Sequence, residues 1–424
     1  MVTFFKKCAK KIIFLLTVFL FSSFLLFDTY EWGKYAFLLC SFLILLIGSI
    51  LNGGKITFRG SDYLIINLLF VIFCFSTSLW AMNSNDAIVK ARTLFRLVLC
   101  AYCVYTYYIT EDSVQSLLNA IKWSGYIIAV YSIFFYGIVN LMKATQSDKY
   151  RIENAFTNVN SIGLVCALSI VLQFNDLLNK KSFIPALLLI PTMLVLSATQ
   201  SRKAIVYILL GVIGVILVRN FNNSKNKYKS VLKALFIVVI FIVVTIVFSQ
   251  LPFFDGINSR MSGLINQVLG IGEVDSSTAK RRELVSLGMT WFLYHPIGGI
   301  GIGNSHIIVQ RYVNQDYYLH NNFVELLCCG GIIGFTIYYS AYVYIFINLI
   351  KYRKVDSEAF TIGVVWLVLM FIMSYGMVTY YSKTETFYLM THFVNVSCMR
   401  RKAKIEKIRR TVDYKTRTLK SVEL

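Results

Sequence analysis

"AFTIGVVWLVLMFIMSYGMV", Ala359 to Val378, runs for twenty residues without a charge. At the rise of an α-helix that length reaches about 30 Å, the thickness of the hydrocarbon core of a bilayer. One such stretch alone fits a buried core helix equally well. Comparable runs, however, recur from end to end, among them "IIFLLTVFLFSSFLLF" (Ile12 to Phe27), "YLIINLLFVIFCFSTSLW" (Tyr63 to Trp80), "LLNAIKWSGYIIAVYSIFFYGIVNLM" (Leu117 to Met142) and "VLKALFIVVIFIVVTIVF" (Val231 to Phe248). Read in order they give about twelve spans, the last, "FYLMTHFVNVSCM", being short and carrying His392. Lipid offers the backbone no partner, so each span has to satisfy its own N–H and C=O groups as a helix. The expected fold is an all-α polytopic membrane protein with about 12 transmembrane helices and one long extracytoplasmic loop that contains amphipathic helices.

Composition excludes the main alternative. Of 424 residues 57% are hydrophobic and 15% aromatic, with 4 prolines, and the mean hydropathy is +0.64. A soluble domain built this way would expose large apolar patches. The net charge of +21 is carried largely by short connections. Cytoplasmic loops are enriched in Lys and Arg, and placing Lys6, Lys7, Lys10 and Lys11 inside also puts "GGKITFRG", "NKKS", "RNFNNSKNKYK", "KYRK" and the tail "RRKAKIEKIRR" inside. "TEDSVQS" is the one inside connection that is not basic. Both termini are then cytoplasmic and the first span is a signal anchor, since no small-residue cleavage site follows it. The basic tail reads as contact with anionic headgroups, not nucleic acid, because no aromatic platform accompanies it. The nine cysteines lie in or beside spans, so no disulfide is expected, and "CAYC" (Cys100 to Cys103) reads as packing.

The chain divides into helices 1 to 9 (1–250), an outer loop (251–320), helices 10 to 12 (321–399) and a basic tail (400–424). A connection of about seventy residues in a compact protein is usually functional. Within it "SSTAKRRELVSLGMTWFLYH" has the Ser/Thr start and the Leu284, Leu287, Trp291 spacing of an amphipathic helix. The outer face gathers Arg202 and Lys203 with Arg260, Arg281, Arg282, His295, His306, Arg311 and His320, and few carboxylates. Guanidinium groups that grip phosphate oxygens in pairs, with one imidazole, suit a bound pyrophosphate, although any single arginine also serves to anchor a helix at the interface. The run "HPIGGIGIGNS" lacks dinucleotide-binding and Walker spacings, and its glycines instead allow tight turns and close approach. A transporter would carry internal repeats and charges near the midplane, and the chain shows no repeat, few mid-span charges and one dominant outer loop.

"ATQSRKA", "RRELVSLGMTWFLYHPIGGIGIGNS" and "HNNFVELLCCGGIIG" together resemble the O-antigen ligase and polysaccharide polymerase superfamily of bacterial envelope glycosyltransferases. The likeness is specific from Arg281 to Gly334, weaker around Arg202 and around "RIENAFTNVNSIGL", which opens on Arg151. It implies a fold similar to that of C-type glycosyltransferases and action on undecaprenyl-pyrophosphate-linked glycans at the outer face of the bacterial inner membrane, with no nucleotide sugar, metal or other cofactor. By the same resemblance Arg202, Arg281 and His320 are the catalytic candidates, and Arg202, Arg281, Arg282, Asn321, Glu325 and Arg151 the substrate-binding ones. Where many members carry a second acidic residue four positions after the glutamate, this chain has Cys329. The chemistry agrees with the residue types. Preorganised cations stabilise the charge left on a departing pyrophosphate, and a histidine near neutrality takes the proton of an acceptor hydroxyl. The expectation is an inverting glycosyltransferase, a polymerase joining lipid-linked repeat units or alternatively a ligase delivering the glycan to lipid A-core or another acceptor. A polysaccharide or lipid-linked sugar transporter is the third reading.

Overall fold

The computed structural model describes residues 2–54, 61–111, 113–147, 152, 156–179, 184–224, 226–250, 255, 258, 262, 276–314 and 317–422. Arg151, Arg260 and the basic residues Lys55, Arg59, Lys180 and Lys181 lie outside the described residues. Fifteen α-helices account for nearly everything described: α1 (Val2–Leu26), α2 (Gly33–Leu51), α3 (Asp62–Ser76), α4 (Ser84–Glu111), α5 (Val114–Tyr136), α6 (Ile138–Gln146), α7 (Val159–Asn179), α8 (Ile184–Thr199), α9 (Arg202–Asn223), α10 (Lys227–Ser249), α11 (Ser276–Tyr294), α12 (Ser305–Val313), α13 (Asn322–Tyr352), α14 (Ser357–Met373) and α15 (Lys383–Val422). Among the described residues six helices are long and apolar enough to cross a bilayer alone, and three more, Tyr35–Leu51, Ala186–Thr199 and Ser357–Met373, are apolar but shorter. The chain is an all-helical, polytopic membrane protein. Each of the twelve apolar runs has its main part in a helix of its own; α6 takes the end of the run that begins in α5, and α11 and α12 are short or polar elements between runs.

Two elements depart from the sequence reading. The run from Leu117 to Met142 is not one helix, because Gly137 takes φ 77°, a left-handed conformation that ends α5 and starts α6 in a new direction against α8. The last span and the tail are in turn a single helix, since α15 continues for 40 residues.

Side-chain contacts divide the bundle into two ends. At one, Lys10 pairs with Glu111, Arg400 with Asp62 (2.9 Å) and Lys402 with Asp356 (2.6 Å). At the other, Lys383 pairs with Asp28 (2.9 Å), the Trp80 indole N–H donates to the Gly298 carbonyl (3.2 Å), and the Gln200 amide donates to the Ser147 carbonyl (2.8 Å). The second end also carries the first turns of α9 and α13 and the last of α14, and the candidate site is built there. All nine cysteines are free, Cys100 and Cys103 included.

Candidate active site

The segment "YLHNN" is held from three sides. Asn321 caps α13, its side-chain oxygen accepting from the N–H groups of Phe323 (2.9 Å) and Val324 (3.2 Å). Asn322 accepts from the backbone N–H of Thr379 (2.8 Å) and Tyr380 (3.0 Å) and donates to the Tyr339 hydroxyl (2.9 Å), while its own N–H donates to the Ser374 carbonyl (2.8 Å). Glu325 accepts from the Leu319 N–H (3.0 Å) and from the Ser305 hydroxyl. All three side chains are buried. The Asn321 side-chain oxygen and both Glu325 carboxylate oxygens are therefore engaged by the protein itself and hold the turn. Between them His320 sits at φ 56°, a conformation few non-glycine residues adopt and one that here costs energy its fixed neighbours must cover.

The His320 ring is half-buried, packed on Tyr318 with ring centroids 4.2 Å apart. Burial first, then the charges of Arg281, Lys203 and Lys280, push its pKa down to about 4. Burial likewise raises the phenol of Tyr318, with Arg281 opposing. Lys280 lies over the ring of Tyr317, 4.5 Å from its centroid. Lys203, in the first turn of α9, donates to the Gly376 carbonyl just past α14. Three cations from two helices thus converge on one imidazole.

The placement of Arg281 follows from how α11 docks. Leu284 is buried, Leu287 and Trp291 are partly so, and Gly288 meets α13 where a Cβ would come within 2.6 Å of Leu319 and Val324. A larger residue at 288 would push the helix, and with it Arg281, away from His320.

The glycine run serves the same end. α13 breaks at Gly331 (φ 61°, ψ −166°), which leaves backbone groups of a spanning helix without their helical partners. The loop after α11 supplies them. Ile300 and Gly301 donate to the carbonyls of Cys328 and Cys329 (2.9 Å each), and Ile332 and Ile333 donate to those of Pro296 (2.8 Å) and Ile297 (3.3 Å). This contact is backbone on backbone, since a Cβ on Gly331 would lie 2.2 Å from the Ile297 oxygen. The loop's far side meets the α3–α4 turn, where Met82 donates to the Ile300 carbonyl (3.0 Å). The glycines serve close approach to a neighbouring helix, as their spacing suggested.

Of the expected residues, the structure brings Arg281 and His320 together and puts Asn321 and Glu325 beneath them. Arg202 and Arg282 are the sequence neighbours of Lys203 and Arg281, and the α9 cation whose charge acts on His320 is Lys203. Sequence reasoning put Lys203 on the outer face but left it out of the site, and it did not single out Lys280 or Tyr318. Adjacent positions on a helix point about 100° apart, and "SRKA" alone does not say which cation faces inward. His306 is engaged elsewhere, with Gly303 (2.9 Å) and Asp86 (3.4 Å), His295 stacks on Trp291, and His392 is buried against Trp366. Among the described residues no group of three or more His, Cys, Asp or Glu is placed to hold a metal ion.

Residues 186–339, a little over a third of the chain, match the family model described as O-antigen ligase. The match runs from α8 through α13 and includes Lys203, Arg281 and His320. No curated protein matches the chain.

Proposed function

We propose, from an O-antigen ligase domain that gathers one imidazole and three cations at one end of a membrane bundle, that the chain is an inverting glycosyltransferase. Its substrate is an undecaprenyl-pyrophosphate-linked oligosaccharide at the outer face of the bacterial inner membrane, and its reaction joins such units as a polysaccharide polymerase. The observation that carries this is His320 held neutral beside Arg281, Lys203 and Lys280. A neutral imidazole accepts a proton, and the cations around it favour an anion over an imidazolium. When the donor pyrophosphate sits among them its charge offsets theirs, so the histidine becomes more basic once the donor is bound.

The step balances without a covalent intermediate. The acceptor hydroxyl gives its proton to His320 as its oxygen attacks the anomeric carbon, and the bond from that carbon to the pyrophosphate oxygen breaks, inverting the centre. The electron pair leaves with undecaprenyl pyrophosphate, where Arg281 and Lys203 meet the charge. Asn321 and Glu325 position the histidine, Arg202 and Arg282 flank the donor site, and the reaction needs no metal. Delivery of the glycan to a different acceptor, the ligase reading, is favoured by the description of the matched family and uses the same donor chemistry. Deleting the gene separates the two. Single repeat units on the normal acceptor mean polymerase, whereas long chains stranded on undecaprenyl pyrophosphate mean ligase. His320→Ala should reproduce the deletion, and wild-type glycan from that variant would refute the mechanism.

A further inference from the structure

A second cavity opens at the same end of the bundle, on the side away from α11. Its volume is about 460 Å³, and it lies between the end of α1, the start of α2, the outer part of α4, the residues leading into α7 and the first turn of α15. Two kinds of surface line it. Leu25, Phe37, Leu38 and, from the middle of α4, Leu97 form an apolar wall, and Arg96 and Lys383 bring positive charge beside one carboxylate, Asp28, with hydroxyls of Thr157 and Ser382 nearby. No hydrogen bond or ion pair joins Arg96 to another described residue. Lys383 pairs with Asp28, the lysine half-buried and the carboxylate exposed, so water reaches the pair and it exchanges partners at modest cost.

Tyr381 ties this cavity to the candidate active site. It lines the cavity, its ring lies under the Lys90 ammonium (3.8 Å to the centroid), and its phenol is within electrostatic reach of Tyr318 and Glu325. Tyr318 is the residue on which His320 packs. Tyr381 therefore borders the cavity and lies within electrostatic reach of the Tyr318 ring on which His320 packs.

An apolar wall at this end of the bundle, with the Arg96 guanidinium and the Lys383 ammonium beside it, matches a phosphate-bearing lipid whose chain lies on the wall and whose phosphate meets the charges, displacing Asp28 from Lys383. We infer that this cavity binds the lipid phosphate of the acceptor, with Arg96 and Lys383 on the phosphate and Leu38 and Leu97 along the first part of the chain. The inference rests on the glycosyltransferase reading. It makes the acceptor a second lipid-linked molecule, seated so that its sugar crosses Tyr381 to reach His320.

Undecaprenyl phosphate, which needs no knowledge of the sugars, is a sufficient probe. Native mass spectrometry of the purified full-length protein should count two bound copies. Arg96→Glu should lose one, weakening that site by about ten-fold or more as a favourable charge becomes a repulsive one. Leu38→Trp, which fills the chain's path and leaves the charges alone, should lose the same copy. Lys203→Glu should lose the other. One copy in the wild type, two copies in both Arg96→Glu and Leu38→Trp, or equal displacement of the Arg96-dependent copy by phosphatidylglycerol would each overturn the inference. Two copies retained in Lys203→Glu alone would instead count against the donor site and leave this cavity standing.

Discussion

Lys203→Met removes a charge while keeping most of the stem that packs against Gly376, so it isolates what the ammonium contributes. In the structure that ammonium is fixed by the Gly376 carbonyl and acts on His320 together with Arg281 and Lys280. If it also meets the departing pyrophosphate, it is one preorganised donor in a partly dry site, worth about 3 kcal/mol in the transition state, or roughly a 100-fold loss of turnover. A second effect has a definite sign. His320 acts as a base only when neutral, so the wild-type rate on free enzyme, read as kcat/KM, should fall as pH drops through about 4, stay level above that, and fall again near 8, where Lys203, its pKa lowered to about 8 by burial and Arg281, loses its charge. With one of the three cations gone that acid limb should move up, toward the ordinary histidine value of about 6.5. Transfer from a lipid-linked donor by purified protein, followed from pH 4 to 8, measures both. Arg202→Ala is the comparison and should lose less than ten-fold, with the limb unmoved. A Lys203→Met enzyme of near wild-type rate and unchanged pH profile, beside an Arg202→Ala enzyme reduced 100-fold, would show that the α9 cation has been assigned to the wrong residue.

Gly331→Ala should cost the protein its fold more than its chemistry: a methyl 2.2 Å from the Ile297 oxygen at φ 61° leaves no room, and yield of detergent-stable protein should collapse, whereas normal yield and melting would contradict the backbone contact. In intact cells Ser276→Cys and Asn314→Cys should react with an impermeant maleimide and Asn222→Cys should not; labelling at 222 would reverse the orientation. Treatment with EDTA should leave transfer activity unchanged, and loss restored by Mg²⁺ or Mn²⁺ would remove the proposal that cations of the chain do the work of a metal.

The fold was legible because its signal is one-dimensional. A stretch such as Ala359 to Val378 declares itself by length and apolarity, and the main part of each such stretch lies in a helix, although α14 stops at Met373, short of Val378. What composition conceals is where a helix stops. Nothing in "FFYGIVNLM" distinguishes Gly137, which ends a helix at φ 77°, from Gly125, which does not. The site was legible in kind. His320 and Arg281 stood out as polar groups in an apolar chain, but the partners of Asn322 come from Thr379 and Tyr380, and no local pattern announces a contact between residues so far apart. For the same reason two adjacent cations, Arg202 and Lys203, could not be ranked before the helix that carries them was seen against α14.

The way the His320 turn is pinned also sets an order of events during synthesis. The imidazole is presented by a turn whose second asparagine is gripped by Ser374, Thr379 and Tyr380, and Lys203 is seated on Gly376, all of them residues that leave the ribosome after the histidine itself. Until α14 and the segment after it have entered the membrane, a nascent chain holds every charged group of the site and none of the frame that aims them. A chain released early, short of Gly376, would insert most of its helices and yet present no formed site to the lipid-linked sugars around it.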